Sequence, residues 1–276
     1  MDYTITQGKY KTDEIYALIK LFDAAYPGSH KFSVDFLCWQ YLDNPNGKVV
    51  SFNAWTENGE MAAHYAAIPV EMMIGGKVEK GLLSLNTATH PMHQGKRLFT
   101  RLAAQTYDYA KEQGYKFVIG VANANSTHGF LKYLGFYQIA PLDVKVGIGD
   151  VYARPFDTSK NRMYYNKETM RWRLACPQFH YSYEGNTVYG SIDKPLFNTA
   201  VARMPEYGDK LSLPKKNGVF ALYVGLGIDV KGCYVNLPKF IKRSPFNLIL
   251  KDLTDGDLPV MTKDNIIFQL LDYDVA

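Results

Sequence analysis

The sequence predicts an α/β fold, a mixed and mostly antiparallel sheet flanked by helices on both faces. Three patterns carry that reading. Two stretches near the start place apolar residues at helical spacing. The stretches after them alternate apolar and polar residues between tight turns. From residue 82 onward the pattern runs strand, helix, strand, helix, strand.

Each element follows from its own residues. Residues 11–26 read as an amphipathic helix, with Ile15, Leu18, Ile19, Phe22 and Ala25 at helical spacing. Thr12 is the expected N-cap, and Pro27-Gly28 ends the helix. Residues 33–42 read as a second helix with Phe36, Leu37 and Tyr41 near one face, followed by the turn Asn44-Pro45-Asn46-Gly47. Residues 49–55 and 61–74 read as strands joined at Glu57-Asn58-Gly59-Glu60, and Gly75-Gly76-Lys77 turns toward a strand at 82–89. Residues 95–113 form the expected long helix, stopped by Gly114. Residues 116–122 are an apolar strand, 125–134 a short helix closed by Gly135, and Phe136 opens the next strand. Residues 265–275 read as a strand, with Asp272 and Asp274 facing solvent.

Composition bounds the function. A chain of 276 residues with 47% hydrophobic and 21% charged residues has enough apolar mass for a packed core, which excludes disorder as the main state. The net charge of +4 comes from 31 basic and 27 acidic residues with no long basic run, so no nucleic-acid partner is expected. Cys38, Cys176 and Cys233 form no CxxC pair, and neither a disulfide framework nor a metal site is expected. Residues 1–14 are polar and charged, and the longest apolar run, 219–228, is about half of a membrane span. A soluble, cytoplasmic protein without a membrane partner is expected.

Two fragments repeat in order. Phe36-Leu37-Cys38-Trp39-Gln40-Tyr41-Leu42 resembles Thr169-Met170-Arg171-Trp172-Arg173-Leu174, and the stretch 130–136 resembles 240–246. Trp39 and Phe136 lie 97 positions apart, Trp172 and Phe246 only 74, a deficit of 23. That is roughly one loop and one helix. The expectation is a tandem duplication, 1–150 and 151–276, whose second copy lacks the unit at 93–113.

The chemistry concentrates in residues 82–136. A strand ends at His90-Pro91, a short loop follows, and a long helix begins. The first turn of a helix presents unpaired N–H groups and partial positive charge, which suits a pyrophosphate. Lys96, Arg97 and Arg101 add charge there.

Two motifs in this stretch resemble the GNAT family of acyl-CoA transferases. One is Thr87-Ala88-Thr89-His90-Pro91-Met92-His93-Gln94-Gly95-Lys96-Arg97-Leu98. The other is Asn123-Ala124-Asn125-Ser126 followed by 130–136, ending in Leu-Gly-Phe. The resemblance covers about half the chain, residues 11–146. It implies a GNAT-like fold whose second half is a reduced repeat. It also implies acetyl-CoA as donor, held by Thr87, Ala88, Thr89, Gln94, Gly95, Lys96, Arg97, Leu98, Phe99 and Asn125. The sequence departs from the family pattern: Arg97 takes a position usually glycine, Phe99 one usually small, and Leu131 the place of a tyrosine acid. Tyr133, about 200° further round the helix, is then the candidate acid.

A base must take a proton from the incoming amine. His64, Glu71, Asn86 and His90 are candidates, and water is an alternative. His90 lies nearest the acyl end, while His64, among alanines, reads as a satisfied structural histidine. The resulting reading is an N-acetyltransferase acting on a small amine, possible amino sugars included. Its acceptor would lie in a cleft between the halves, against Tyr181, Tyr183, Tyr189 and Tyr223. The alternatives are a non-catalytic ligand-binding module and a tRNA-dependent aminoacyl transferase, the latter disfavoured by the mild charge.

Overall fold

A computed structural model describes residues 2–29, 31–149, 151–153, 157–184, 186–191, 197–203, 213–215, 218–228, 230–231, 233–237 and 244–273. The first half runs β1 (Thr4–Gln7), α1 (Thr12–Ala25), α2 (Val34–Tyr41), β2 (Val50–Trp55), β3 (Met61–Ile74), β4 (Lys77–Thr89), α3 (Leu98–Glu112), β5 (Phe117–Ala122), α4 (Ala124–Tyr133), β6 (Tyr137–Pro141) and β7 (Asp143–Ile148). The second runs β8 (Tyr152–Ala153), β9 (Asn161–Met163), α5 (Lys167–Leu174), β10 (His180–Glu184), β11 (Thr187–Ser191), β12 (Phe197–Arg203), β13 (Phe220–Leu226), β14 (Val230–Lys231), β15 (Tyr234–Asn236), β16 (Asn247–Asp252) and β17 (Ile266–Gln269).

The two halves share one plan. In the first, β1 to β4 pair antiparallel in turn and β4 pairs parallel with β5. In the second, β10, β11 and β12 pair antiparallel and β12 pairs parallel with β13. A helix of eight residues leads into each run of strands, α2 before β2 and α5 before β10. Ser33 caps α2 by accepting from the Phe36 N–H, and Asn166 caps α5 by accepting from the N–H groups of Glu168 and Thr169. Trp39 and Trp172 stand at the same place in these helices. Their indoles stack at 5.0 Å, and each Nε1–H donates to the other residue's carbonyl at 2.8 Å. Such mutual contact between equivalent residues is what a two-fold axis produces. The second sequence echo lies partly outside the described residues, at 240–243.

Strands are exchanged between the halves. β16 lies between β5 and β6, antiparallel to both. In return β7 lies between β13 and β15. The division expected at residue 150 is therefore crossed in both directions. β17 and β9 join the two parts into one sheet through β13 and β3.

The sheet separates two apolar layers. Leu83, Ile119 and Leu248 face α1 and α2, together with the second half. Their neighbours Leu82, Val118 and Ile249 face α3 and α4. This is the period-2 alternation of a sheet buried on both sides.

Several expectations change. The strand expected at 82–89 begins at Lys77, because the Gly75-Gly76 turn already takes both positive φ angles. Thr12 does not cap α1. Glu14 instead turns back and accepts from the N–H groups of Lys9 and Tyr10, at 2.8 and 2.5 Å. Residues 265–275 do not form one strand: β17 stops at Gln269 and a 3-10 turn, Leu270–Asp272, follows. Asp272 is buried, accepting from the Gln269 N–H and the Tyr165 hydroxyl, and burial lifts its pKa to about 7. Asp274 lies outside the described residues. Tyr189 and Tyr223 are buried in a small core cluster with Val151, Ala221 and Val230, so they offer no surface to a substrate. Tyr181 and Tyr183 are half-buried.

Two outcomes follow. Trp39→Phe and Trp172→Phe should each remove one indole bond and lower stability by roughly 1–2 kcal/mol, or about 2–4 °C per kcal/mol in thermal melts. The double variant should lose clearly less than the sum. Asp272 holds a proton in the folded chain that the unfolded chain releases above about pH 4. Its contribution to stability is therefore greatest in acid and is lost as pH rises through 7. Melting Asp272→Asn beside the wild type should show the variant gaining relative to it between pH 5 and pH 8.

Candidate active site

The site begins where two strands part. β4 and β5 pair through Leu82–Val118, Leu83–Ile119 and Ser84–Gly120, and pairing stops there. β4 continues to Thr89 along β3, and β5 continues to Ala122 along β16. A slot thus opens between residues 85–89 and 121–122. Its closed end is tight, since a Cβ on Gly120 would lie 3.2 Å from the Ser84 Cβ. There the Tyr65 hydroxyl meets Ser84 Oγ at 2.7 Å and the Tyr107 hydroxyl at 2.5 Å.

A bulge in the β3–β4 ladder shapes the rim of the slot. The register shifts between His64, opposite Ala88, and Ala66, opposite Leu85. Asn86 absorbs the extra residue with φ of 48°. The Tyr26 hydroxyl, at the end of α1, donates to the Thr87 carbonyl.

The loop beyond β4 ends in a helix start. The His90 N–H donates to the Ala62 carbonyl at 2.9 Å, and His90 Nδ1 accepts from the Met92 N–H at 3.2 Å. A 3-10 turn, Pro91–His93, follows, and α3 begins only at Leu98, three residues later than expected. Gly95 and Arg97 explain the delay, with φ of 75° and 57°. Among the described residues, the N–H groups of Gly95, Lys96, Arg97, Leu98, Phe99 and Thr100 have no partner. Six donors around a helix start, with Lys96, Arg97 and Arg101 beside them, form an anion cradle. Nearby, the Tyr3 hydroxyl meets His93 Nδ1 at 2.9 Å, and Lys96 Nζ sits 5.6 Å over the Tyr3 ring. Partial burial, then Lys96 and His90, push the His93 pKa down.

The departures from the family pattern acquire structural readings. Arg97 keeps the left-handed backbone that a glycine would take, with its side chain exposed. Phe99 spans from α3 to α4, 5.2 Å from the Phe130 ring and 6.0 Å from Tyr65. Gly129 makes room for it, since a Cβ there would lie 2.8 Å from the Phe99 ring.

The remaining candidates separate. Tyr133 is 60% exposed on α4, beside His128, while Phe130 and Leu134 turn to the core. Leu131 is 36% exposed. Asn125 is exposed, and Asn123 takes its N–H as the helix cap. Glu71 pairs with Lys80, eight residues along β4 from Ala88, or about 27 Å. That distance removes it as a base. His64 is buried between Asn53 and Tyr41, and burial lowers its pKa to about 3. It is the satisfied histidine the sequence suggested. Among the described residues, no His, Cys, Asp or Glu group is arranged to hold a metal ion. No helix there is long and apolar enough to cross a membrane.

The second half has the same parting of strands but a filled gap. β12 and β13 pair through Ala200–Tyr223. Beyond it β17 takes the edge of β13 that β12 has left, at Gly225–Gln269 and Leu226–Phe268. The stretch where a counterpart of α3 would stand, between β12 and β13, lies largely outside the described residues, at 204–212 and 216–217.

Comparison with known proteins follows this geometry. Residues 8–139 match the family model described as an acetyltransferase (GNAT) domain. A conserved Enterococcus faecalis V583 protein of unknown function, a probable N-acyltransferase, has TM-score 0.62 at 8% identity, covering 92% of this chain and 73% of that one. A GCN5-related N-acetyltransferase from Kribbella flavida has TM-score 0.59 at 10% identity, covering 91% and 71%. One from Anabaena variabilis has TM-score 0.55 at 12% identity, covering 91% and 74%. These likenesses concern the fold. No curated protein matches the sequence.

Arg97 yields a stability test. A non-glycine residue in the left-handed region is strained by about 1–2 kcal/mol, against which glycine loses part through chain entropy. Arg97→Gly should therefore stabilise the fold by roughly 0.5–1 kcal/mol, read as a higher melting temperature without ligand.

Proposed function

We propose that this chain, whose residues 8–139 match the GNAT acetyltransferase domain model, transfers an acetyl group from acetyl-CoA to a small amine. The observation that carries the reading is the slot between β4 and β5 leading into a helix start with six unpartnered N–H groups. A pyrophosphate suits that loop, and an extended pantetheine arm suits the open edge beside Leu85 to Thr89. Coenzyme A would use Gln94 to Phe99 by backbone, with Asn125 on the facing side.

The chemistry is direct attack. The neutral amine adds to the thioester carbonyl, the oxyanion is held by a strand N–H near Ala88, and the carbon–sulfur bond breaks as the amide forms. Holding both reactants at the slot supplies much of the rate. His90, at the mouth, takes the ammonium proton directly or through water. The leaving thiolate takes its proton from Tyr133 or from solvent, and the nitrogen gives up its remaining extra proton to solvent as the amide forms, which restores Tyr133. Tyr133→Phe separates these sources: a tenfold or greater fall in kcat, an order-of-magnitude expectation, assigns Tyr133, and an unchanged kcat assigns solvent.

A non-catalytic CoA-binding module is the second reading, favoured by Phe99 across the gap between α3 and α4 and by Leu131 in place of a tyrosine. Turnover of acetyl-CoA with a panel of amines distinguishes the two.

Calorimetry tests the donor site. One acetyl-CoA should bind per chain, because β17 occupies the second gap. Gly95→Pro should abolish binding, since proline cannot adopt φ of 75°. Arg97→Ala should weaken binding and reduce its salt dependence. Unchanged affinity in a folded Gly95→Pro protein, or two molecules bound per chain, would overturn the assignment.

A further inference from the structure

Behind the slot runs a buried chain of hydrogen bonds that acyl transfer, as described so far, does not use. Glu14 Oε1 accepts from Asn53 Nδ2 at 2.6 Å. That bond fixes the amide, so Asn53 Oδ1 faces His64 and accepts from its Nδ1–H at 2.6 Å. His64 Nε2 is then the acceptor, and the Tyr41 hydroxyl donates to it at 3.0 Å. The Tyr41 oxygen in turn accepts from Asn86 Nδ2 at 3.0 Å, and the same amide donates to Gln40 Oε1. Each donor and acceptor assignment follows from the one before it, starting at a carboxylate that can only accept.

The chain ends at the strained residue of the slot. Asn86 is the bulge residue, held at φ of 48° opposite Tyr65, and its neighbours Thr87 and Ala88 form the rim of the slot. Asn53, His64, Gln40 and Tyr41 are all buried, so the two bonds that His64 makes, to Asn53 and to Tyr41, have no water to compete with them, while the ends of the chain at Glu14 and Asn86 are half-buried. Burial also keeps the His64 ring neutral through the physiological range, and the direction of every bond is therefore constant with pH. Three elements meet at this point: α1 through Glu14, α2 through Gln40 and Tyr41, and the β2–β3 pair through Asn53 and His64.

We infer that the Glu14–Asn53–His64–Tyr41 chain holds Asn86 so that the β4 bulge presents its backbone to the acyl carbonyl, making His64 and Tyr41 positioning residues for acyl transfer. The inference rests on the reading of the slot as the acyl site. These side chains do not touch the substrate. They set the place of the backbone that does. A rim displaced by a fraction of an ångström loses the oxyanion contact while leaving the pyrophosphate loop, which is built from a different segment, intact.

The test separates position from stability and from binding. Tyr41→Phe keeps the ring and breaks the chain at its last step. Asn86→Gly keeps the left-handed backbone without the tether. Both should bind acetyl-CoA within about twofold of the wild type, yet lose roughly 10- to 100-fold in kcat. Trp172→Phe, a variant destabilised elsewhere, should keep its kcat. The ring nitrogens of His64, followed by NMR, should show a neutral imidazole protonated at Nδ1 from pH 5 to 9, with Nε2 shifting in Tyr41→Phe. An unchanged kcat in both slot variants, an equal loss in Trp172→Phe, or a His64 ring protonated at Nε2 would overturn the inference and leave the donor site standing. If the wild type binds acetyl-CoA without turnover, the carbonyl frequency of bound, isotope-labelled acetyl-CoA replaces kcat: a shift toward the free-solution value in Tyr41→Phe supports the inference, and no shift overturns it. A wild type that binds no acetyl-CoA overturns the functional reading and this inference together.

Discussion

An unpaired strand edge must find a partner, and the two halves of this chain satisfy that need through each other. β5 and β6 leave a gap that β16 fills from the far end of the sequence, and β13 and β15 leave one that β7 fills from the near side. Neither half-sheet is continuous without the other's strand. The exchange fixes the relation between the halves, brings α2 against α5, and lets Trp39 and Trp172 bond each other's carbonyls. It also reaches the site. Lys251, on the exchanged β16, donates to the Leu134 carbonyl at 2.9 Å and so ties down the end of α4.

The same plan gives two different outcomes at the two partings of strands. In the first half the gap stays open, and the chain beyond β4 turns through left-handed Gly95 and Arg97 into a helix start whose N–H groups are unpaired. In the second, β17 lies in the gap and Asp272 is buried beside it, bonded to Tyr165. A sheet edge that has lost one neighbour takes another strand or keeps room for a ligand. Here one copy does each. The asymmetry leaves the first half with the open slot on which the proposed donor site rests, and the second half with a filled one.

Polar groups behind the open slot, with Asn53, His64 and Tyr41 buried and Glu14 half-buried, extend the same division of labour. Glu14, Asn53, His64 and Tyr41 could be replaced by apolar residues in a purely structural core, where unsatisfied polar atoms are costly. Their complete pairing, ending at the one non-glycine residue of β4 in the left-handed region, makes them a scaffold for the bulge. Phe99 and Gly129 form a comparable pair on the other face, where a large ring fits because its neighbour has no side chain.

The sequence by itself determined the elements and the strand, loop and helix order on which the proposed donor site rests. Periodicity located α1, α2, β2, β3 and α3 because each buries its apolar face locally, and the strand, proline, loop and helix order at Thr87 to Leu98 marked the anion cradle. The echo around Trp39 and Trp172 picked out two residues at the same place in their helices, which stack on each other in the fold. Tertiary structure decided the rest. No local pattern states which edge β7 or β16 will join, because hydrogen-bonding edges are alike along the chain and only the assembled sheet selects between them. For the same reason Asp272 read as solvated and Tyr189 and Tyr223 as exposed surface: their burial comes from strands distant in sequence. Tyr26, Tyr41 and Asn53 carried no sequence signal of a role, since a tyrosine or asparagine becomes part of a site only through the partner that folding brings to its polar atom.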